Sequence, residues 1–123
     1  MIESFKDLFV WQKAMDFAEE VYNLSKFFPK EELYALTNQI HRAVVSIPSN
    51  IAEGKGRNSL AEYLHFLAVA QGSLAEVETQ ILLAIRFGYI TKTDSEKALA
   101  QRDEISRMLV SLRYKLSHPT PVT

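Results

Sequence analysis

The stretch Arg42-Ala-Val-Val-Ser-Ile-Pro-Ser-Asn-Ile-Ala-Glu-Gly-Lys-Gly-Arg57 decides how the rest of the chain is read. Its apolar residues Ala43, Val44, Ile47 and Ile51 recur at helical spacing and continue a row begun by Leu33, Leu36 and Ile40. At about 100° per residue this row covers an arc of roughly 100°, the width of a core-facing helix stripe. Gln39, Arg42, Ser46, Asn50 and Glu53 share an arc of about 80° along the edge of that stripe. Pro48 lies inside the helix so defined. An interior proline deletes one hydrogen bond and crowds the carbonyl four residues back, here that of Val44, at a cost of about 3 kcal/mol. The pattern predicts a second helix from about Lys30 to Glu53, kinked at Pro48 and stopped by Gly54.

Polar groups at the border of a buried face need partners. The expectation is a structural network of Arg42, Ser46, Asn50, Glu53 and Glu76, substantially buried, mutually bonded and reaching Arg57. Glu53 sits in a last turn, where the helix dipole disfavours a carboxylate, so Arg42 or Arg57 should compensate it. Such a network fixes packing. The sharper reading of Arg42, Asn50, Glu53 and Glu76 as an enzyme's polar cluster ranks last.

Outward from this stretch, Asp7 can cap a first helix running to about Phe27. Leu8, Trp11, Met15, Ala18 and Tyr22 form one apolar row on it. Val10, Ala14, Phe17, Val21 and Leu24 form a second, and together they cover about half the circumference. That exceeds the stripe a bundle helix needs; the surplus covers either neighbouring helices, as a broad core face, or a partner subunit, for which the second row is the candidate. Phe28-Pro29 ends this helix. Pro29, Glu31 and Glu32 suit the first turn of the next. Ser59-Leu-Ala-Glu62 matches a capping box and opens a third helix, which Gly88 stops after Phe87. Leu60, Tyr63, Leu64, Leu67, Leu74, Val77, Ile81 and Ile85 give its apolar face; Glu62, Ser73, Glu76 and Gln80 gather on another side. Gly72 lies mid-helix at a cost of about 1 kcal/mol relative to alanine, which suggests close backbone approach to helix two or to a neighbouring chain. Thr93-Asp-Ser-Glu96 opens a fourth helix, ending near Lys115, with Ile105, Leu109, Leu112 and Leu116 as its seam. No strand pattern competes. The predicted fold is all-α: a single antiparallel up-down four-helix bundle over residues 1–116, followed by a flexible tail over 117–123.

The chain has 123 residues, enough for one domain. Apolar residues make up 47% and charged residues 24%, with a net charge of −1, so no global field draws in nucleic acid. There is no cysteine, which excludes disulfide and thiolate chemistry and fits a cytoplasmic protein. The N-terminus is no signal peptide, and no apolar run is long enough to span a membrane.

Chemistry-bearing motifs are sparse. The loop Gly54-Lys-Gly-Arg-Asn-Ser59 is basic and precedes a helix N-terminus, where backbone amides can hold an anion. It lacks the Walker A spacing. Lys55 and Arg57, joined by Arg107, Arg113 and Lys115 on helix four, would make a nucleic-acid backbone contact. The plainer reading of the helix-four cations is that they answer the helix dipole. Glu62-x-x-His65 has di-iron spacing, but a di-iron bundle needs two such pairs and two more glutamates. Ser46, Ser49 and Ser73 have no histidine at suitable spacing. No metal, cofactor or catalytic residue is expected.

Three separated stretches, Phe5-Lys-Asp-Leu-x-Val-Trp-Gln-Lys-Ala14, Arg42 to Gly54, and Gly72-Ser-Leu-x-Glu76, resemble a bacterial four-helix-bundle family. Its members were first noticed as reading frames inside intervening sequences of large-subunit ribosomal RNA genes. The resemblance runs from Phe5 to about Leu116. It implies a cytoplasmic homo-oligomer, a ring of five chains, with no assigned molecular role. It also implies kinship with the accessory proteins of diversity-generating retroelements, basic pentamers that bind nucleic acid and a reverse transcriptase. This chain departs from those in being slightly acidic. The leading expectation is therefore a non-enzymatic oligomeric scaffold or accessory protein. The alternative is a nucleic-acid-associated accessory protein.

Overall fold

The computed structural model describes residues 4–119. Four α-helices account for most of them: α1 (Phe9–Ser25), α2 (Leu36–Lys55), α3 (Leu60–Arg86) and α4 (Lys92–Ser117). Two short 3-10 turns, Phe5–Asp7 and Lys30–Glu32, precede α1 and α2, and there is no strand among the described residues. Each helix packs on two others, α1 on α2, α2 on α3, α3 on α4 and α4 back on α1, so the four close into a bundle. Cross-helix pairs fix the directions. Lys13 meets Glu104 and Glu20 meets Lys97, so positions rise along α1 as they fall along α4. Gln71 meets Arg113 and Glu78 meets Arg102, which gives the same opposition for α3 and α4.

The core is the union of the buried stripes. Ala14, Phe17 and Val21 of α1, Ile40, Val44, Ile47 and Ile51 of α2, Leu67, Leu74, Val77 and Ile81 of α3, and Ile105 and Leu109 of α4 are buried. On α1 it is the Val10–Leu24 row that forms the core, so the expected surplus lies on the other row. Trp11 and Ala18 are half-buried there, and Met15 and Tyr22 are exposed. Leu33 is not part of the α2 stripe; it precedes the helix and is exposed.

Several helix ends differ from expectation, each for a local reason. Ser4, not Asp7, caps, and it caps the 3-10 turn, while α1 begins after Leu8 without a side-chain cap. Pro29 opens the second 3-10 turn instead of α2, which starts six residues later than Lys30. Pro48 lies buried inside α2, which continues through it. Gly54 does not stop α2: it is an interior residue, and Gly56 caps the helix. Ser59 does cap α3, its hydroxyl accepting from the Glu62 amide at 3.1 Å. Gly88 stops α3 as expected, with a φ of +80° and a Schellman pair of bonds from Gly88 N to Ile85 O and from Tyr89 N to Ala84 O. The capping box of α4 lies two residues earlier than predicted. Thr91 Oγ1 accepts from Asp94 N and Asp94 Oδ2 accepts from Thr91 N, both at 3.0 Å.

Candidate functional site

The predicted polar network divides into separate pieces. Its centre is the α2–α3 contact, where Ser46 Oγ and Ser73 Oγ lie 2.9 Å apart. Asn50 Nδ2 donates to Ser46 O at 2.7 Å and to Ser46 Oγ at 2.8 Å. Ser73 is buried, and Ser46 and Asn50 are half-buried. Glu53 and Arg57 form a second piece, an exposed ion pair of 2.9 Å one helical turn apart. Arg57 also lies 4.9 Å above the Phe66 ring. In the third, Gln80 Nε2 donates to Glu76 Oε2 at 3.3 Å.

Arg42, Glu53 and Glu76 are exposed in the subunit, contrary to the expected burial, and Arg42 bonds to none of the others. The reason lies in the helix wheel. An arc at the edge of the buried stripe half-buries short side chains such as Ser46 and lets long charged ones reach water. Arg42, Ser46, Ser73 and Glu76 instead line one open polar groove between α2 and α3, together with Asn38 and Gln39.

The five cations considered for nucleic acid do not form one free patch. Arg57 is held by Glu53 and Phe66, and Arg113 Nη1 donates to Gln71 Oε1 at 2.6 Å. Arg107 and Lys115 border a groove between the start of α1 and the end of α4, floored by Leu8, Val10, Met108 and Leu112. Lys55 is half-buried at the end of α2. Glu62 and His65 are exposed, and no cluster of three or more potential metal-ligating side chains exists among the described residues.

One constellation was not anticipated. Ser25 at the end of α1 and His41 in α2 meet, with Oγ to Nε2 at 2.7 Å, while the His41 ring stacks on Tyr22 with centroids 3.8 Å apart. Ser25 Oγ also donates to Tyr22 O at 2.8 Å. A serine has one hydroxyl proton, so both bonds form together only when His41 Nε2–H donates to Ser25. That tautomer cannot act as general base toward Ser25, and burial lowers the His41 pKa. The pair therefore locks α1 to α2 and does not activate a nucleophile. The sixteen-residue separation of Ser25 and His41 offers no sequence signal, because their meeting depends on how α1 and α2 pack.

Gly54, expected to stop α2, has a packing role instead. A Cβ there would stand 3.0 Å from Phe66 Cβ and 3.2 Å from Tyr63 O, so glycine lets α3 approach α2.

These features define a four-helix-bundle protein whose polar residues mostly hold helices together and line one groove. The chain belongs to the 23S rRNA-intervening sequence protein family, which it matches over residues 6–111. It is similar to a solved structure of a protein of unknown function from the S23 ribosomal protein family of Bacteroides thetaiotaomicron. The two share 31% sequence identity and a TM-score of 0.78, over 85% of this chain and 97% of that one. No curated protein matches the chain.

Proposed function

We propose that this protein is a non-enzymatic, self-associating bundle that serves as a scaffold or accessory protein in the cytoplasm. The observation that carries the reading is an apolar seam between α1 and α2. Trp11, Met15, Ala18 and Tyr22 face Val45, Pro48 and Ala52 across an open groove. Met15, Tyr22 and Val45 are 46%, 41% and 45% exposed. Contiguous apolar surface of this kind marks interfaces in soluble proteins. On α3, Val69, Leu82 and Leu83 are exposed, and a Cβ at Gly72 would meet nothing within 4 Å. Close approach of α2 thus does not explain Gly72, and a neighbouring chain is the remaining partner among those expected. A subunit with an apolar seam on α1–α2 and an uncrowded glycine on α3 can associate head to tail and close into a ring. The family resemblance supplies the number five. Multi-angle light scattering at micromolar concentration tests the reading: an oligomer is expected, and a monomer contradicts it.

A second reading, association with a nucleic-acid backbone, rests on Lys55, Arg107 and Lys115, which form no ion pair among the described residues. In a ring these weak contacts would be repeated and add by avidity. Binding that falls steeply with salt concentration is the expected signature. An oligomer that ignores ribosomal RNA and duplex DNA at low salt leaves the scaffold reading alone. The enzyme reading has little support, since Arg42, Asn50, Glu53 and Glu76 do not converge. Among the described residues, no helix is long and apolar enough to cross a membrane.

A further inference from the structure

The two most exposed large apolar side chains among the described residues stand at opposite ends of α1. Phe9, at its start, is 72% exposed, and Tyr34, in the turn that follows its end, is 90% exposed. Each belongs to a larger feature. Phe9 borders the groove floored by Leu8, Val10, Met108 and Leu112, an open space of about 590 Å³. Tyr34 follows the 3-10 turn Lys30–Glu32, next to Leu33, which is also exposed. Bonds from Leu33 N to Lys30 O at 3.1 Å and from Ala35 N to Glu32 O at 3.0 Å carry the three-residue winding through Tyr34. At three residues per turn, Glu31 and Tyr34 share one side, and Lys30 and Leu33 another. The turn is therefore an exposed apolar pair flanked by charge, and the groove is an apolar floor flanked by charge.

The charges of the two features match in sign and number. The turn carries one cation and two anions, Lys30, Glu31 and Glu32. The groove carries one anion and two cations, Glu104, Arg107 and Lys115. Apart from Glu104, which holds Lys13 at 3.5 Å, none of these six forms an ion pair among the described residues. One subunit cannot join its own two features, because the seventeen residues of α1 hold them about 25 Å apart. We infer that the Lys30–Tyr34 turn of one copy docks into the α1–α4 groove of a second copy. Leu33 and Tyr34 cover the apolar floor beside Phe9, Glu31 and Glu32 lie toward Arg107 and Lys115, and Lys30 lies toward Glu104. The contact is heterologous, so each copy keeps a further turn or groove to offer and association is open-ended unless the rotation closes it. Two apolar side chains and a few exposed ion pairs make a small interface, so the dissociation constant is on the order of 0.1–1 mM. The contact uses no residue of the α1–α2 seam and does not depend on it.

The test follows backbone amide NMR shifts of the 123-residue chain carrying Met15→Lys and Val45→Lys, which disables the seam, from about 0.02 mM to about 2 mM. The expected result is a saturating shift at two places together, residues 30–34 and the groove residues 8–10 and 104–115, that weakens several-fold as salt is raised. Tyr34→Ser and Arg107→Glu change exposed side chains and should leave the fold intact. Each alone should weaken association about tenfold or more. Mixed, they should restore it in one direction only: the groove shifts in labelled Tyr34→Ser protein, and the turn shifts in labelled Arg107→Glu protein. The proposal is overturned if no shift depends on concentration, if the mixture behaves like the separate variants, or if only one of the two places shifts. Shifts at the turn alone would show a symmetric turn-to-turn contact, and shifts at the groove alone a groove-to-groove one. If the seam variant still assembles at micromolar concentration, the seam reading fails, while the shifts at residues 30–34 and in the groove above that concentration still decide this contact.

Discussion

Gly54 and Phe66 meet at the α2–α3 contact so closely that a methyl group on Gly54 would stand 3.0 Å from Phe66 Cβ. The Tyr63 carbonyl oxygen, 3.2 Å from the same point, is backbone and cannot rotate away. Gly54→Ala gains about 1 kcal/mol of helix propensity and incurs an overpacking cost of about 1–3 kcal/mol. The expected net result is a lower denaturant midpoint. An unchanged or raised midpoint would show that α3 yields easily.

Gly72 is the contrasting case. Nothing in its own subunit crowds it, so Gly72→Ala should stabilise an isolated subunit by up to about 1 kcal/mol. If a neighbouring chain packs there, the same change weakens the assembly. Unfolding at subunit concentrations below and above association separates the two effects, and a variant that is stabilised and still fully associated removes Gly72 from the interface.

Asn50 bridges Ser46 O and Ser46 Oγ at the centre of the α2–α3 contact. Asn50→Ala should lower stability by about 1 kcal/mol, as for loss of a half-buried hydrogen-bonding group. Thr91→Ala should cost about 1 kcal/mol by uncapping α4. Double-mutant combination of the two should be additive, since they lie in separate contacts.

Stability should also fall on acidification through the histidine range. Burial holds His41 below its ordinary value of 6.5, so the unfolded chain binds the proton more readily. Stability is then lost as pH drops below about 6.5 and levels off below the folded-state value. His41→Gln should flatten this part of the pH profile in urea melts. A profile unchanged by that substitution would assign the pH dependence elsewhere.

The bundle was legible because period-3.6 stripes report burial directly, and Gly88 and Ser59 act through their own local backbone. Gly54 was misread because stop glycines and packing glycines look alike in sequence. Only the position of Phe66, a residue of the next helix, distinguishes them. The two rows of α1 are similarly ambiguous: both are apolar, and the choice of Val10–Leu24 as core is made by where α2 and α4 sit. The polar groove was half visible. A helix wheel placed Arg42 and Ser46 on one side, but it could not tell that Arg42 reaches solvent or that Ser73 lies opposite Ser46. The Ser25–His41 lock left no trace in either helix alone.

The central claim is that the α1–α2 apolar seam is covered by a second copy of the chain. Light scattering on the purified wild-type protein and on a Met15→Lys, Val45→Lys variant tests it most directly. Both side chains are exposed, so the variant should fold normally by circular dichroism. The expected result is a wild-type mass several times the 14.0 kDa of one chain, falling to a single subunit in the variant. A wild-type protein of 14.0 kDa at micromolar concentration, or a variant that keeps the full assembly, would contradict it.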